Sequence, residues 1–487
     1  MKRVLEVPRN AFVEAGVEQS ALLIDARNYY KTVYRALELA ENYVIISGWQ
    51  FDSGVKLLRG ADAERTRYPV ELLAFLGALC EERPKLRIFL LAWEFSFVYA
   101  RERESEQAEK FNAKHPNIHF QWDPHPSISA SHHQKFVVVD GALGFIGGID
   151  LCDARWDDCD HRVHHPDRVN VVGDPCKPYH DVQAGFAGEL VASLVELFAE
   201  RWQRVSDERL ELPPADSRVR SRYDLQLLSE GNGELIGSTR AALSRTQVDT
   251  RATPARVGEV LALFADAIGA ARGLIYAETQ YFTSRSVAQI LLDRMHDVTL
   301  PKLQIVVFLP HAADTPMEKL ALEDTQEDVL KALLEGARET GHELRLLYPA
   351  SRNSDGTETA TFIHSKILIV DDRLLMVGSP NFTERSVALD TEIAISWECA
   401  SEEDGLSRCI RNIRGKLLAE HSGVPESEWL MRAGLCARID ALITRADTRL
   451  RYREVIEAGP FGPMLAGIFD PGDSALTDSV LDPAHNP

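Results

Sequence analysis

Long apolar runs alternate along the chain with stretches of helical periodicity. "NYVIISGWQFD" (42–52) and "LRIFLLAWEFSF" (86–97) are rich in β-branched and aromatic residues and read as buried strands, while "PVELLAFLGALCEE" between them carries the spacing of a half-buried helix. Near-continuous apolar strands separated by helices predict an α/β fold with parallel strands. "KFVVVD" follows as a further strand, and its Asp140-Gly141 turn signal leads into "LGFIGGID", so a hairpin is expected there.

The same order returns later. "RGLIYAETQYF" (272–282) and "KLQIVVFLP" read as strands around the helical "SVAQILLDRMHD"; "DVLKALLEGARETG" reads as a helix ending at a glycine, and "HELRLLYPA" as the next strand. Between the two series, "LPPADSRVRSRYD" has the composition of a linker. The expected division is therefore a first half over 1–215, a linker or surface excursion over 216–250, a second half over 251–435, and a charged helical stretch with a Gly/Pro/Asp-rich tail over 436–487.

The two series are copies of one unit. "HHQKFVVVD" contains His133, Lys135 and Asp140, and "FIHSKILIVD" contains His364, Lys366 and Asp371; with Gly147 and Gly378, four positions recur at a displacement of 231. Upstream, Gln50 and Gln280 pair at a displacement of 230. In a strand, residues two apart share a face, so each His and Lys project together, while the parity of Asp140 and Asp371 makes them turn or hydrogen-bonding residues. An ammonium and an imidazole at the mouth of a buried strand need a counter-charge, and a phosphate set between two such copies supplies it.

Composition narrows the partners. A formal charge of -20 argues against bulk electrostatic binding to nucleic acid or anionic lipid. No stretch has the length of a charge-free spanning helix, and "MKRVLEVPRNAFVEAG" lacks the apolar core of a secretion signal. Seven scattered cysteines fit a reducing compartment. Cys152, Cys159 and Cys176 lie near His161, His164 and His165, but no Cys-x2-Cys pair supports a zinc site, and no metal is expected. His132 reads as a neighbour that packs beside the site and His180 as a supporting residue. Trp49, Trp93, Trp156 and Trp202 read as core, and Glu278 and Gln280 as strand-end caps or substrate contacts.

The doubled His-x-Lys-x4-Asp, with "GGID" after the first copy and "GSPN" after the second, resembles the phospholipase D superfamily over residues 20–430. "FIGGIDLCDARWDD", "PYHDVQ", "AETQYF" and "GSPNFTERSVALDTEIA" resemble segments of the two-motif phospholipases D of eukaryotic type and their bacterial relatives. The resemblance implies two similar α-β-α sandwich halves about a pseudo-two-fold axis, with the active site at their interface. His133 would then be the nucleophile that forms a phosphohistidine, His364 the general acid and then base, and Lys135 and Lys366 the phosphate ligands. Ser379 and Asn381 match polar residues that contact phosphate, and Glu392 matches the acid that orients a histidine. Gly148 and Asp150 are their first-half equivalents, with Asp181 as the acidic partner and Gln280 as a supporting residue.

The expected activity is hydrolysis of glycerophospholipids at a membrane surface to phosphatidic acid and head-group alcohol, without a cofactor. Water or a small alcohol would be the acceptor, making transphosphatidylation a companion reaction. A cardiolipin synthase-like transferase is the alternative; a nuclease and a catalytically idle lipid-binding protein follow. A monomer is expected, in the cytoplasm with transient peripheral membrane contact; leaderless export leaves no mark in a sequence.

Overall fold

The computed structural model describes residues 3–94, 104–124, 130–223, 225–247, 257–313, 316–353, 355–399, 404–445 and 447–456. It divides into two compact units, Glu14–Ala241 and the remainder, Met1–Val13 with Ala242–Pro487.

In the first unit, strands β1 (Gln19–Ile24), β2 (Tyr43–Gly48), β3 (Arg87–Glu94), β4 (Ile118–Pro124), β5 (Phe136–Val139), β6 (Leu143–Gly147) and β7 (Val182–Ala187) form a sheet in the order β1-β7-β6-β5-β2-β3-β4. β2, β3 and β4 run parallel, and β5 returns antiparallel to β2. Both faces are covered, which is why these strands read as unbroken apolar runs. Helices α1 (Asp25–Glu38) and α2 (Leu72–Glu82) pack with Val44, Ile46, Ile88 and Leu90 on one face. On the other, Phe198 and Trp202 of α3 (Val191–Ser206) meet Phe136 and Phe89 edge-on.

The second unit repeats this order. Strands β8 (Arg240–Gln247), β9 (Leu274–Glu278), β10 (Gln304–Phe308), β11 (Glu343–Arg352), β12 (Ile367–Val370), β13 (Leu374–Gly378) and β14 (Glu392–Glu398) run β8-β14-β13-β12-β9-β10-β11. Helices α4 (Glu259–Ala270), α5 (Arg285–His296) and α6 (Pro316–Thr340) flank one face, and α7 (Gly405–Ser422) brings His421 onto Phe308 of the other. The fold class is thus α/β with two like-ordered units.

The register sharpens the repeat. β2 pairs β5 with Ser47 opposite Phe136, and β9 pairs β12 with Glu278 opposite Ile367, so the displacement of 231 holds through these strands as well. The equivalent of Gln280 is therefore Trp49, and the pairing with Gln50 is off by one; an apolar ring and an amide at one place hid the match. Past Asp150 and Asn381 the displacement falls to 211, as in Asp181 and Glu392, so the first unit carries a 20-residue excursion between them.

The division also differs from the expected one. Residues 1–13 belong with the second unit, where Phe12 N donates to Leu243 O at 2.9 Å. Within the stretch 216–250, Leu225–Glu230 is helical and packs on the first unit, and β8 enters the second sheet. Among the described residues, the charged segment after 440 is helical only within Leu435–Ile443; Leu450–Tyr452 is a strand on β11. The end of "LRIFLLAWEFSF" and the tail beyond 456 lie outside the described residues.

Candidate active site

His133 and Lys135 stand just before β5, and His364 and Lys366 just before β12, rather than within the strands. What fixes them is a repeated local bond: Lys135 Nζ donates to His133 O at 3.2 Å, and Lys366 Nζ donates to His364 O. Lys135 and Lys366 are nearly fully buried, and so is His364, while His133 is half-buried. Lys135 faces Asp150 Oδ2 at 3.4 Å, whereas Lys366 faces the neutral Gln280 Oε1 at 3.4 Å.

Asp150 and Asn381 play the same structural part. Trp49 N donates to Asp150 Oδ1 at 2.9 Å, and Gln280 N, at the equivalent position, donates to Asn381 Oδ1 at 3.3 Å. Ser379 Oγ donates to Glu392 and accepts from Ile393 N at 3.1 Å; Ser386 Oγ donates to Glu392 Oε1 at 2.7 Å. In the first unit Asp181 takes the place of Glu392. A Cβ on Gly148 would lie 2.3 Å from Asp181 Oδ1, so the glycine where the second unit has Ser379 makes room for the carboxylate. Gly147 and Gly378 are glycine for backbone reasons, since a Cβ on either would lie 2.4 Å from the carbonyl oxygen of Val182 or Ile393 respectively.

Asp140 and Asp371 sit at the far ends of β5 and β12, away from the lysines. Asp140 accepts from the backbone N–H of Glu41, Asn42 and Tyr43 at 2.9, 2.7 and 3.0 Å and from Tyr223 Oη at 2.9 Å. Asp371 accepts from the N–H of Arg272, Gly273 and Leu274 at 2.7, 2.8 and 2.8 Å. Each carboxylate ties the start of one strand to the turn after another. In this geometry both aspartates hold the frame around the motif. The turn after Asp140 is left-handed at both central positions, Asp140 (φ 53°) and Gly141 (φ 65°), as a tight hairpin requires.

The residue between each His and Lys points to the opposite face and is gripped there. Gln134 Oε1 and Ser47 Oγ both take a bond from Arg201 Nη1 at 2.9 Å, and Arg201 binds Asp123 Oδ2 through Nε at 2.8 Å and Nη2 at 2.7 Å. His132 Nε2 lies 3.3 Å from the other Asp123 oxygen. In the second unit Ser365 Oγ and Tyr276 Oη donate to Glu278, and His421 Nε2 lies 2.8 Å from Glu278 Oε1. Ser47 and Glu278 are equivalent, as are Gln134 and Ser365, so each unit anchors its motif on a buried polar group of different make-up. Glu278 is fully buried in this group.

Burial works to raise the Asp123 carboxyl, but Arg201 and His132 override it and hold it well below the usual range. Burial, with Arg201 beside it, pushes His132 down against the pull of Asp123, so the folded protein keeps a neutral imidazole. An unfolded histidine takes up a proton near pH 6.5, so the unfolded chain binds more protons below that pH and stability falls as pH drops. Arg204 acts on His132 in the same direction as Arg201. Urea midpoints at pH 7.5 and 5.5 should therefore fall for the wild type and fall less for His132→Gln; equal falls would show that His132 does not carry the dependence.

The excursion of the first unit forms a chain of alternating charge. Asp157 accepts from Arg168 Nη1 at 2.8 Å and faces His161 Nδ1 at 2.9 Å, while Asp25 Oδ1 lies 3.8 Å from His161 Nε2 and 3.2 Å from His180 Nδ1. Asp25, His161 and His180 could hold a cation, their ligand atoms lying within 4.8 Å of one another. Cys152, Cys159 and Cys176 join no such group among the described residues: Cys152 is buried, Cys159 exposed and Cys176 intermediate. Trp93, Trp156 and Trp202 are buried as core, and Trp49 is half-buried beside Trp93.

Comparison with known proteins follows the same line. A family model described as "Phospholipase D" matches residues 36–303, and one described as "Cardiolipin synthase, PLD-like domain" matches 264–404. Phospholipase D A of Dictyostelium discoideum is 23% identical over 83% of this chain and 35% of its own length. Phospholipase D alpha 2 of Oryza sativa subsp. japonica is 23% identical over 82% of this chain and 64% of its own. The chain thus spans roughly a third to two thirds of these two curated relatives. A crystal structure of phosphatidylserine synthase from Haemophilus influenzae shares the fold, with a TM-score of 0.55 at 15% identity, covering 88% of this chain and 95% of that one. With the Phospholipase D model covering more than half of its residues, and with the doubled motif held alike in both units, the chain belongs to the phospholipase D family.

Proposed function

We propose that the protein cleaves the head-group ester of glycerophospholipids, releasing phosphatidic acid and the head-group alcohol. The observation that carries this reading is the duplicate His-x-Lys, held by the same lysine-to-carbonyl bond before equivalent strands of two like-ordered sheets. In the proposed reaction an imidazole nitrogen of His133 forms a bond to phosphorus as the bond to the head-group oxygen breaks, and His364 gives that oxygen its proton. His364 then removes a proton from water or a small alcohol, whose oxygen displaces His133. Lys135 and Lys366 bind the non-bridging oxygens, and Asp181 and Glu392 orient the imidazoles.

The acidic chain, with a net charge of -20, counts against a nucleic-acid substrate. Among the described residues no helix is long and apolar enough to cross a membrane, which suits contact at the surface of a bilayer. A transferase that hands the phosphatidyl group to a larger alcohol is the second reading, favoured by the match of residues 264–404 to the cardiolipin synthase-type model. The test is incubation with phosphatidylethanolamine–phosphatidylcholine vesicles containing 1-¹³C-ethanol, read by mass spectrometry. Phosphatidic acid together with labelled phosphatidylethanol supports the phospholipase; products formed only when glycerol, serine or phosphatidylglycerol is added support the transferase; intact lipid in every arm overturns both.

A further inference from the structure

We infer that Val171 and Val172, at the tip of a braced turn in the first unit, enter the surface layer of a zwitterionic phospholipid bilayer and bring the candidate site to it; the inference rests on the proposed phosphodiesterase reading. Both side chains stand in solvent, Val171 52% exposed and Val172 77%. They are the two central residues of a tight turn, closed by Gly173 N on Asn170 O at 3.0 Å. Valine is a poor choice for those places, which favour Gly, Pro, Asn, Asp and Ser. A turn that breaks its local rule twice, and gains no burial by it, points to contact with something outside the chain.

The turn holds its shape without the valine side chains. Asn170 Oδ1 accepts from Val172 N at 3.1 Å and from Asp174 N at 2.7 Å, and Asn170 N donates to Asp174 O at 2.8 Å. Below it, Arg59 Nη1 donates to Asp167 O at 2.8 Å and to Val169 O at 2.6 Å, and Cys176 N donates to Arg168 O at 2.9 Å. The tip is also tied to the candidate site. Val171 N donates to Asp153 Oδ2 at 3.1 Å, and Asp153 N donates to Asp52 Oδ2 at 2.6 Å. Asp153 follows closely on Asp150, whose Oδ2 faces Lys135 Nζ at 3.4 Å. The turn belongs to the excursion between Asp150 and Asp181, so the second unit's sequence has no counterpart to it.

Charge decides the kind of surface. With a net charge of -20 the protein gains nothing from anionic lipid, and Asp174, exposed beside the valines, repels it. Apolar contact does not depend on lipid charge. Two valines supply a contact that forms and releases, far short of an anchor.

The test uses the intact chain and vesicles of phosphatidylcholine and phosphatidylethanolamine. In Val172→Trp, brominated acyl chains should quench tryptophan fluorescence beyond the quenching seen in the wild type. Val171→Ser combined with Val172→Ser should bind the vesicles about tenfold more weakly, the loss expected when the inserted apolar area is removed. Adding phosphatidic acid to the vesicles should weaken binding of the wild type. The double variant should cleave vesicle lipid more slowly, yet turn over soluble, monomeric dibutyryl phosphatidylcholine within about twofold of the wild type. Unchanged vesicle binding by the double variant, or no added quenching at position 172, overturns the inference; so does an equal loss of turnover on the soluble ester, which would place the effect inside the site. Cleavage by the wild type is the separate arm: lipid cleaved without quenching at position 172 removes the membrane contact alone, and quenching with every phosphodiester left intact removes the phosphodiesterase reading alone.

Discussion

Replacing His133 by alanine lowers turnover of a phosphodiester by about ten-thousand-fold or more, while the protein stays folded. The size follows from the role, because without the nucleophile the phosphohistidine route closes altogether. The fold should tolerate the change. His133 is half-buried, and its place in the backbone is set by Lys135 Nζ on its carbonyl oxygen and by Gln134 on the opposite face, neither of which needs the imidazole. His364→Ala behaves differently in a way that assigns the roles. Loss of an acid matters least for a leaving group that needs no proton, so p-nitrophenyl diesters should still phosphorylate His133 in this variant. The phosphoenzyme would then accumulate for want of a base to activate water. A rapid-quench burst of p-nitrophenol near one equivalent, with phosphohistidine on His133 in the digest, is the expected result. The same burst in His133→Ala with phosphate on His364 would exchange the two roles, and full turnover in either single variant would refute the shared mechanism.

The His and Lys pairs were legible because they repeat. A His and a Lys at one strand mouth carry little weight, but the second copy at a displacement of 231 showed the repeat of elements along the chain and the equivalence of Asp140 with Asp371. Gln134 and Ser365, which stand between each His and Lys, are gripped on the face away from the lysines. The gripping groups themselves were not legible. Arg201 reaches Gln134 from a helix 67 positions later, and His421 reaches Glu278 across 143, so no local pattern marks either. A clue existed in Glu278, a carboxylate closing an apolar strand, which had to be either at the site or paired inside. Local pattern also could not show that Gly148 is small because Asp181 arrives beside it, since that contact forms only when β6 and β7 pair.

Asp140→Asn should lower stability by about 2–4 kcal/mol while leaving turnover per folded molecule within about threefold of the wild type. The carboxylate offers two oxygens to four donors: Oδ1 serves the N–H of Asn42 and Tyr43, and Oδ2 serves the N–H of Glu41 and the Tyr223 hydroxyl. An amide keeps one oxygen and presents an NH2 where the second stood. It then sets donor against donor at Glu41, with no water to relieve it, because Asp140 is buried. Tyr223 can turn its hydroxyl to accept, but only by giving up its own bond as donor; burial and the Asp140 charge keep that phenol protonated in the wild type. The loss should therefore exceed that of Tyr223→Phe, which removes one of the four donors. The small effect on turnover follows from distance: Asp140 is five residues beyond Lys135 along an extended strand, about 16 Å at ~3.3 Å per residue. Asp371→Asn tests the argument independently, because that carboxylate faces three backbone N–H groups in the second unit. Urea unfolding, read beside turnover corrected for the folded fraction, separates the two effects. If turnover collapsed in a variant whose urea midpoint had not moved, the aspartate would act in the chemistry and not in the frame.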